Sequence, residues 1–137
     1  MKYLLDTNIC IYYIKGKYKL KEKFKSAGSG SFLISEITLA ELKFGVANSQ
    51  SPNRNMESLK KFLTGVQILP IFDSLDVYAN EKARLRKAGQ PIDDFDLLIG
   101  TSAIANDLVL VTNNIKHFER LNDIKIEDWT NEQNTIM

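Results

Sequence analysis

Residues 2–15 read KYLLDTNICIYYIK, and the join inside this stretch decides the fold class. Lys2 to Asp6 is a short apolar run ending on a carboxylate, the pattern of a buried first strand. From Thr7 to Lys15 the residues Ile9, Cys10, Tyr12, Tyr13 and Ile14 fall at spacings that suit a helix. A strand therefore runs directly into a helix, with Asp6 at the turn.

Outward from this join the alternation repeats. Gly16 interrupts the first helix, a lysine-rich segment runs to Ala27, and the small polar loop Gly28 to Ser31 leads into the apolar strand Phe32, Leu33, Ile34. Thr38 to Glu41 opens a helical pattern carrying Leu42, Phe44 and Val46, which ends at the polar stretch Asn48 to Asn55, the longest loop expected. A helix from about Met56 to Leu63, a strand through Val66, Ile68 and Leu69 to Pro70, and a helix from Ser74 to about Ala88 follow, closed by Gly89. Pro91 and Asp93 start a strongly apolar helix through Leu97, Leu98, Ile99, Ala103, Ile104 and Ala105. Leu108 to Val111 reads as a buried strand, and one more short strand lies around Ile124 to Ile126. Short apolar strands alternating with helices indicate an α/β/α sandwich with a mainly parallel central sheet. No linker or repeat divides the chain, so one domain over residues 1–137 is expected, with a short tail from about 130 to 137.

Hydrophobic residues make up 44% of the chain and charged residues 26%, which suits an ordinary globule and excludes a disordered or fibrous one. Eighteen basic against 17 acidic residues leave a net charge of +1, so any contact with a polyanion must come from local charge. Cys10 is the only cysteine, which rules out an internal disulfide and a cysteine-based zinc cluster and fits a reducing cytoplasm. No segment approaches the roughly 20 apolar residues of a membrane helix, so no membrane association is expected.

Three acids stand at related positions. Asp6 ends the first strand, Glu41 lies near the start of the helix after the second, and Asp96 near the start of the apolar helix before the strand at 108–111. Open parallel sheets bind ligands at the carboxyl edge, and right-handed crossovers bring the helix starts to that edge, so Glu41 converges with Asp6. The helix of Asp96 follows a loop rather than a clear strand, so its arrival depends on the fold. Each acid also has a plain structural reading. Thr38 and Glu41 have the spacing of a capping box, Asp93 suits a cap with Asp96 in its first turn, and Asp6 suits a cap of its own helix. At Asp6 the adjacent Thr7 would cap equally well, so capping alone does not demand an acid there. Three carboxylates within a few ångströms raise one another's pKa unless a cation neutralises them. With oxygen ligands only, and no cysteine or histidine cluster, that cation is Mg²⁺, with Mn²⁺ as a substitute, rather than Zn²⁺. Such an ion orients a water, lowers its pKa and stabilises the charge that develops on a phosphodiester during in-line displacement.

The segments LLDTNICIYYI, ISEITLAELKFGV, PIDDFDLLIGTSAIANDLVLVTNNIKHFERL and IKIEDW, in order across roughly Met1 to Trp129, resemble the VapC toxins of the PIN-domain family. Asp6, Glu41 and Asp96 fall on the family's acidic positions, the first and last being its usual metal ligands. The resemblance implies a PIN-like fold and an Mg²⁺-dependent endoribonuclease, with structured RNAs such as transfer RNA among its substrates. It also implies the toxin half of a type II toxin–antitoxin pair, a small VapB-like antitoxin that occludes the acidic site, and homodimeric and toxin–antitoxin assemblies. One departure matters. Many PIN domains carry a fourth acid after the fourth strand, where this chain reads Thr112, Asn113, Asn114. Asparagine keeps an oxygen ligand and loses the charge, so one metal is expected. Asp94, Thr112, Asn114 and Glu119 are the auxiliary candidates, either replacing that charge or holding a phosphate or water, and otherwise solvated or turn residues.

Lys15, Lys17, Lys19, Lys21, Lys23 and Lys25, with Tyr18 and Phe24 interleaved, form either a grip on RNA phosphates or a solvated helix face. His117, the only histidine, reads as part of a polar loop with no partner and stays outside the mechanism. Tyr12, Tyr13, Phe44 and Phe62 read as core or interface residues. Three rival functions are weighed, one of them enzymatic. An Mg²⁺-binding phosphoacceptor signalling domain needs an aspartate at a central strand end and a lysine after a late strand, and neither Asp73 nor the Thr112–Asn113 corner supplies them. A phosphatase with a nucleophilic aspartate needs a second acid two residues on, where this chain has Asn8. A non-catalytic PIN-fold RNA-binding module would lose the acids, and all three are present.

Overall fold

A computed structural model describes residues 2–130. The elements run β1 (Tyr3–Leu5), α1 (Thr7–Ile14), α2 (Leu20–Ala27), β2 (Phe32–Ser35), α3 (Glu36–Ala47), α4 (Pro52–Leu63), β3 (Gln67–Leu69), α5 (Leu75–Lys87), α6 (Asp94–Ala105), β4 (Val109–Val111), α7 (Ile115–Phe118) and β5 (Lys125–Glu127), with a 3-10 turn at Phe72–Ser74 before α5. The five strands form one parallel sheet in the order β3-β2-β1-β4-β5.

Neighbouring residues on each strand point to opposite faces. Leu4, Leu33 and Leu110 join one core cluster with Leu85, Leu97, Ile99 and Phe118 of α5, α6 and α7. Leu5, Phe32, Ile34 and Val111 join a second with Ile9, Leu20, Phe24, Leu42, Leu59 and Phe62 of α1 to α4. Because both faces are covered, the strands read as continuous apolar runs rather than alternating ones. The result is the α/β/α sandwich expected, and its sheet is parallel throughout.

Gly100 sets the seat of α7. A Cβ at this position would lie 2.5 Å from Leu121 Cδ1 and 3.1 Å from Phe118 Cδ1. The bare backbone lets Phe118 pack directly on α6, which fixes the short helix beside the carboxyl edge of the sheet. At the other end of the fold, Trp129 meets Tyr3 edge-on at 5.0 Å, and its carbonyl accepts a hydrogen bond from Lys23.

Several local expectations are corrected. The stretch Asn48 to Asn55 is not the longest loop, because α4 already begins at Pro52, whose fixed φ and missing N–H suit a first helical position. The Thr38–Glu41 capping box does not form. Ser35 caps α3 instead, accepting the Ile37 N–H at 3.0 Å, and this moves the helix start upstream and buries Thr38. His117 lies on α7 rather than in a loop. The tail expected from about 130 to 137 falls outside the described residues beyond Thr130. Among the described residues no helix is long and apolar enough to cross a membrane.

Candidate active site

From the central β1 the chain builds outward to β2 and β3, then returns to the other side of β1 to lay down β4 and β5. The strand order reverses between β1 and β4, and such a switch point opens a crevice at the strands' carboxyl ends. Asp6 follows β1 at that crevice and Thr112 follows β4. The Asp6 N–H donates to the Val111 carbonyl at 3.0 Å, continuing the strand ladder past its last paired residue. This carries Thr112 alongside Asp6, and the Thr112 hydroxyl donates to Asp6 Oδ2 at 2.8 Å.

Asp6 both caps and reaches the site. Its Oδ1 accepts the Thr7 N–H at 2.8 Å, so the structural reading is realised at the same carboxylate that faces the crevice. The Thr7 side chain does something else: its hydroxyl donates to Glu41 Oε1 at 2.7 Å and lies 3.1 Å from the Thr38 hydroxyl. One threonine thus ties the first carboxylate to the second. Asp96 sits in the first turn of α6, which Asp93 caps by accepting the Phe95 N–H at 3.2 Å.

The electrostatics connect the three acids. Burial raises the pKa of Asp6, the Thr112 and Thr7 hydrogen bonds oppose this, and the charge of Glu41 raises it further. Asp96 is pushed up to about 6, first by burial and then by the charges of Asp6, Asp93 and Glu41, with His117 pulling the other way. Burial and the nearby Asp6 also push the thiol of Cys10 well above its usual range, so it stays protonated and behaves as a small apolar residue. Among the described residues no three His, Cys, Asp or Glu side chains stand close enough to form a ready cage for a metal ion. The acids act on one another through their charges rather than through direct contacts.

The PIN-domain family model matches residues 3–124. The chain belongs to the PIN-domain family. Among its relatives, the tRNA(fMet)-specific endonuclease VapC of Shigella flexneri is 36% identical over 132 residues, which span 95% of this chain and 99% of that protein. Ribonuclease VapC2 of Haemophilus influenzae is 37% identical over 131 residues, spanning 94% and 98%. The crystal structure of DNA-bound VapBC from Salmonella typhimurium aligns with a TM-score of 0.87 at 35% identity, covering 94% of this chain and 98% of that one. These similarities cover nearly the whole chain and place it among the VapC-type PIN domains.

In this PIN domain the remaining candidates separate. Asp94 is held in an exposed ion pair with Lys82 at 2.8 Å and accepts the Tyr78 hydroxyl at 2.8 Å. The Lys82 contact, first, and the Tyr78 one hold its carboxyl below the usual range, so Asp94 is engaged away from the other acids. Glu119 is exposed at the end of α7. Thr112 and Asn114 are connected to the site, since the Asn114 N–H donates to the Thr112 hydroxyl at 3.0 Å. Among the lysines, Lys15, Lys17, Lys19, Lys21 and Lys25 are exposed, while Lys23 is half-buried against the Trp129 carbonyl. Sequence reasoning set His117 aside, yet its Nδ1 lies 2.9 Å from Asn114 Nδ2 and 3.9 Å from Asp96 Oδ2. Its place beside α6 follows from the packing at Gly100, which no local pattern announces. Sequence reasoning also gave Thr7 only a capping role and missed its bond to Glu41.

Proposed function

We propose that Asp6 and Asp96, with Glu41, hold a single divalent cation, Mg²⁺ or its substitute Mn²⁺, and that this chain is the endoribonuclease toxin of a type II toxin–antitoxin pair. The observation that carries the metal reading is the displacement of Asp96 to about 6 by burial and by Asp6, Asp93 and Glu41. Three acids raise Asp96, and among the charges acting on it His117 alone opposes them. The donors are all oxygens, and Mg²⁺ typically binds through one or two carboxylates and several waters rather than a closed protein cage, which fits this open arrangement. When bound, the ion supplies Lewis acidity, lowering the pKa of a water and neutralising charge on the phosphodiester.

The chain's own residues do the rest. Thr112 and Thr7 direct two hydrogen bonds at Asp6 and favour its ionised form. Thr7 holds Glu41 by Oε1, which leaves Oε2 to accept the proton of the attacking water. The exposed lysines before and along α2 contact RNA phosphates. We take transfer RNA as the substrate class, the initiator transfer RNA in particular, after the name of the Shigella flexneri relative. The partner is a VapB-like antitoxin, after the VapBC assembly of the Salmonella typhimurium protein. It inserts an Arg or Lys side chain among the three carboxylates, blocking metal and RNA together. The toxin works in the cytoplasm as one domain over residues 1–137, a homodimer in itself and a hetero-oligomer with its antitoxin.

Purified protein free of antitoxin should cleave transfer RNA in Mg²⁺ or Mn²⁺ and stop in EDTA. Asp6→Asn and Asp96→Asn should abolish cleavage without lowering the melting temperature, since each removes charge from a crowded acidic site. Full activity in chelator, or unfolding of both variants, would defeat the reading.

A further inference from the structure

The corner between β4 and α7 carries a run of polar contacts that the carboxylates alone do not explain. Thr112 Oγ1 donates to Asp6 Oδ2 at 2.8 Å and accepts the Asn114 N–H at 3.0 Å. Asn114 Nδ2 lies 2.9 Å from His117 Nδ1, and the same ring nitrogen lies 3.9 Å from Asp96 Oδ2. The contacts therefore run from Asp6 to the edge of Asp96 by way of Thr112, Asn114 and His117. With the Asn114 amide N–H directed at Nδ1, that nitrogen accepts and Nε2 is the ring nitrogen that carries an N–H. Nε2 has no partner among the described residues, and the side chain is 49% exposed at the rim of the acidic site. Phe118, the next residue, is fully buried against α6, so the ring is carried on a seated backbone rather than on a free loop.

We propose that His117 is a substrate-binding residue whose Nε2–H donates to a non-bridging oxygen of an RNA phosphate beside the one cleaved. The proposal rests on the reading of Asp6, Glu41 and Asp96 as an RNA-cleaving centre. The chemistry suits the place. A crevice of carboxylates repels the RNA backbone, and a hydrogen-bond donor held at its rim gives a phosphate a fixed point of attachment. Asn114 engages Nδ1 and leaves Nε2 to face outward, and Thr112 holds Asn114 through its backbone. Contacts to phosphate fix register and orientation rather than sequence. One made equally before and during the reaction strengthens binding and leaves the chemical step unchanged.

The test is equilibrium binding of fluorescein-labelled initiator transfer RNA to the Asp6→Asn protein, with and without His117→Phe, which keeps a planar aromatic ring and removes both nitrogens. Loss of one hydrogen bond to a charged group should weaken binding by about tenfold. With Asp6 intact, His117→Phe should raise KM by a similar factor and keep kcat, while the melting temperature stays in place. His117→Gln, which retains an N–H donor, should recover part of the affinity. An unchanged Kd in the Phe variant overturns the proposal, as does a loss confined to kcat. If the Phe variant melts early, Asn114→Ala decides instead: binding several-fold weaker supports the proposal and unchanged binding overturns it. Failure of the wild-type protein to cleave RNA would count against the nuclease reading, while the binding measurement would still decide the role of His117.

Discussion

The Thr112 hydroxyl donates to Asp6 Oδ2 at 2.8 Å across the junction of β4 and β1, between residues 106 apart in the chain. Asp6 is a buried carboxylate, and burial favours its neutral form. The bond works against that tendency and aims the second oxygen of a group whose first is already occupied by the Thr7 N–H.

Thr112→Val keeps the shape of the side chain and removes both the donor to Asp6 and the acceptor of the Asn114 N–H. A hydrogen bond to a charged group contributes about 1.5–3 kcal/mol, so kcat/KM should fall on the order of 10- to 100-fold. Thr112→Ser should retain most of the rate. Steady-state cleavage of one RNA by both variants checks this, and equal rates for Val and wild type would refute it.

Asp96 titrates at about 6 in the folded protein against an ordinary 3.8, so the native state binds its proton more tightly than the unfolded chain does. Its contribution to stability therefore decreases as pH rises from 3.8 to about 6, and levels off above. In metal-free protein, urea midpoints measured across that range should show this slope, and Asp96→Asn should remove it. Because a proton and a cation compete for the same oxygens, Mg²⁺ affinity should rise with pH through about 6 and be weak below it. Calorimetric titration of chelator-treated protein at several pH values reads this directly.

Lys17, Lys21 and Lys25 are exposed, whereas Lys23 ties α2 to the Trp129 carbonyl, so these three can be replaced without breaking that tie. Each phosphate contact contributes about 0.7 to the slope of log affinity against log salt for single-stranded RNA. Changing these three to Gln in the Asp6→Asn background should flatten the slope by about two units. Binding should weaken alike for many RNAs. An unchanged slope would assign the segment to a solvated face.

Gly100→Ala forces a methyl group against Leu121 and Phe118, both buried. Overpacking of this kind costs about 1–3 kcal/mol, and the melting temperature should drop by several degrees. The displaced α7 carries His117, so KM should rise as well. A variant as stable as wild type would mean that Leu121 turns aside freely.

Local pattern was enough for the class of fold. The paired leucines Leu4 and Leu5 belong to different cores, and that is why β1 reads as unbroken apolar sequence and why the sheet had to be covered on both faces. Element starts were less legible. Ser35 and Thr38 are both capable caps, and the choice between them depends on where the backbone leaves the sheet, which composition does not encode. Pro52 was read as part of a loop because its helix-starting role depends on the residues after it.

By itself, then, the sequence determined the alternation of strand and helix and the two-sided core, and its ordered motifs singled out Asp6, Glu41 and Asp96 as candidates. The tertiary structure alone decided the pairing around them. Thr7 meets Glu41 across 34 residues, Thr112 meets Asp6 and Lys23 meets Trp129 across 106 each, and His117 comes beside Asp96 because Gly100 lets Phe118 seat on α6. Periodicity reports which face of an element is buried, but not which element lies against it. A hydrogen bond demands donor and acceptor within about 3 Å, a condition met only once strand order and helix packing have placed distant backbones in register.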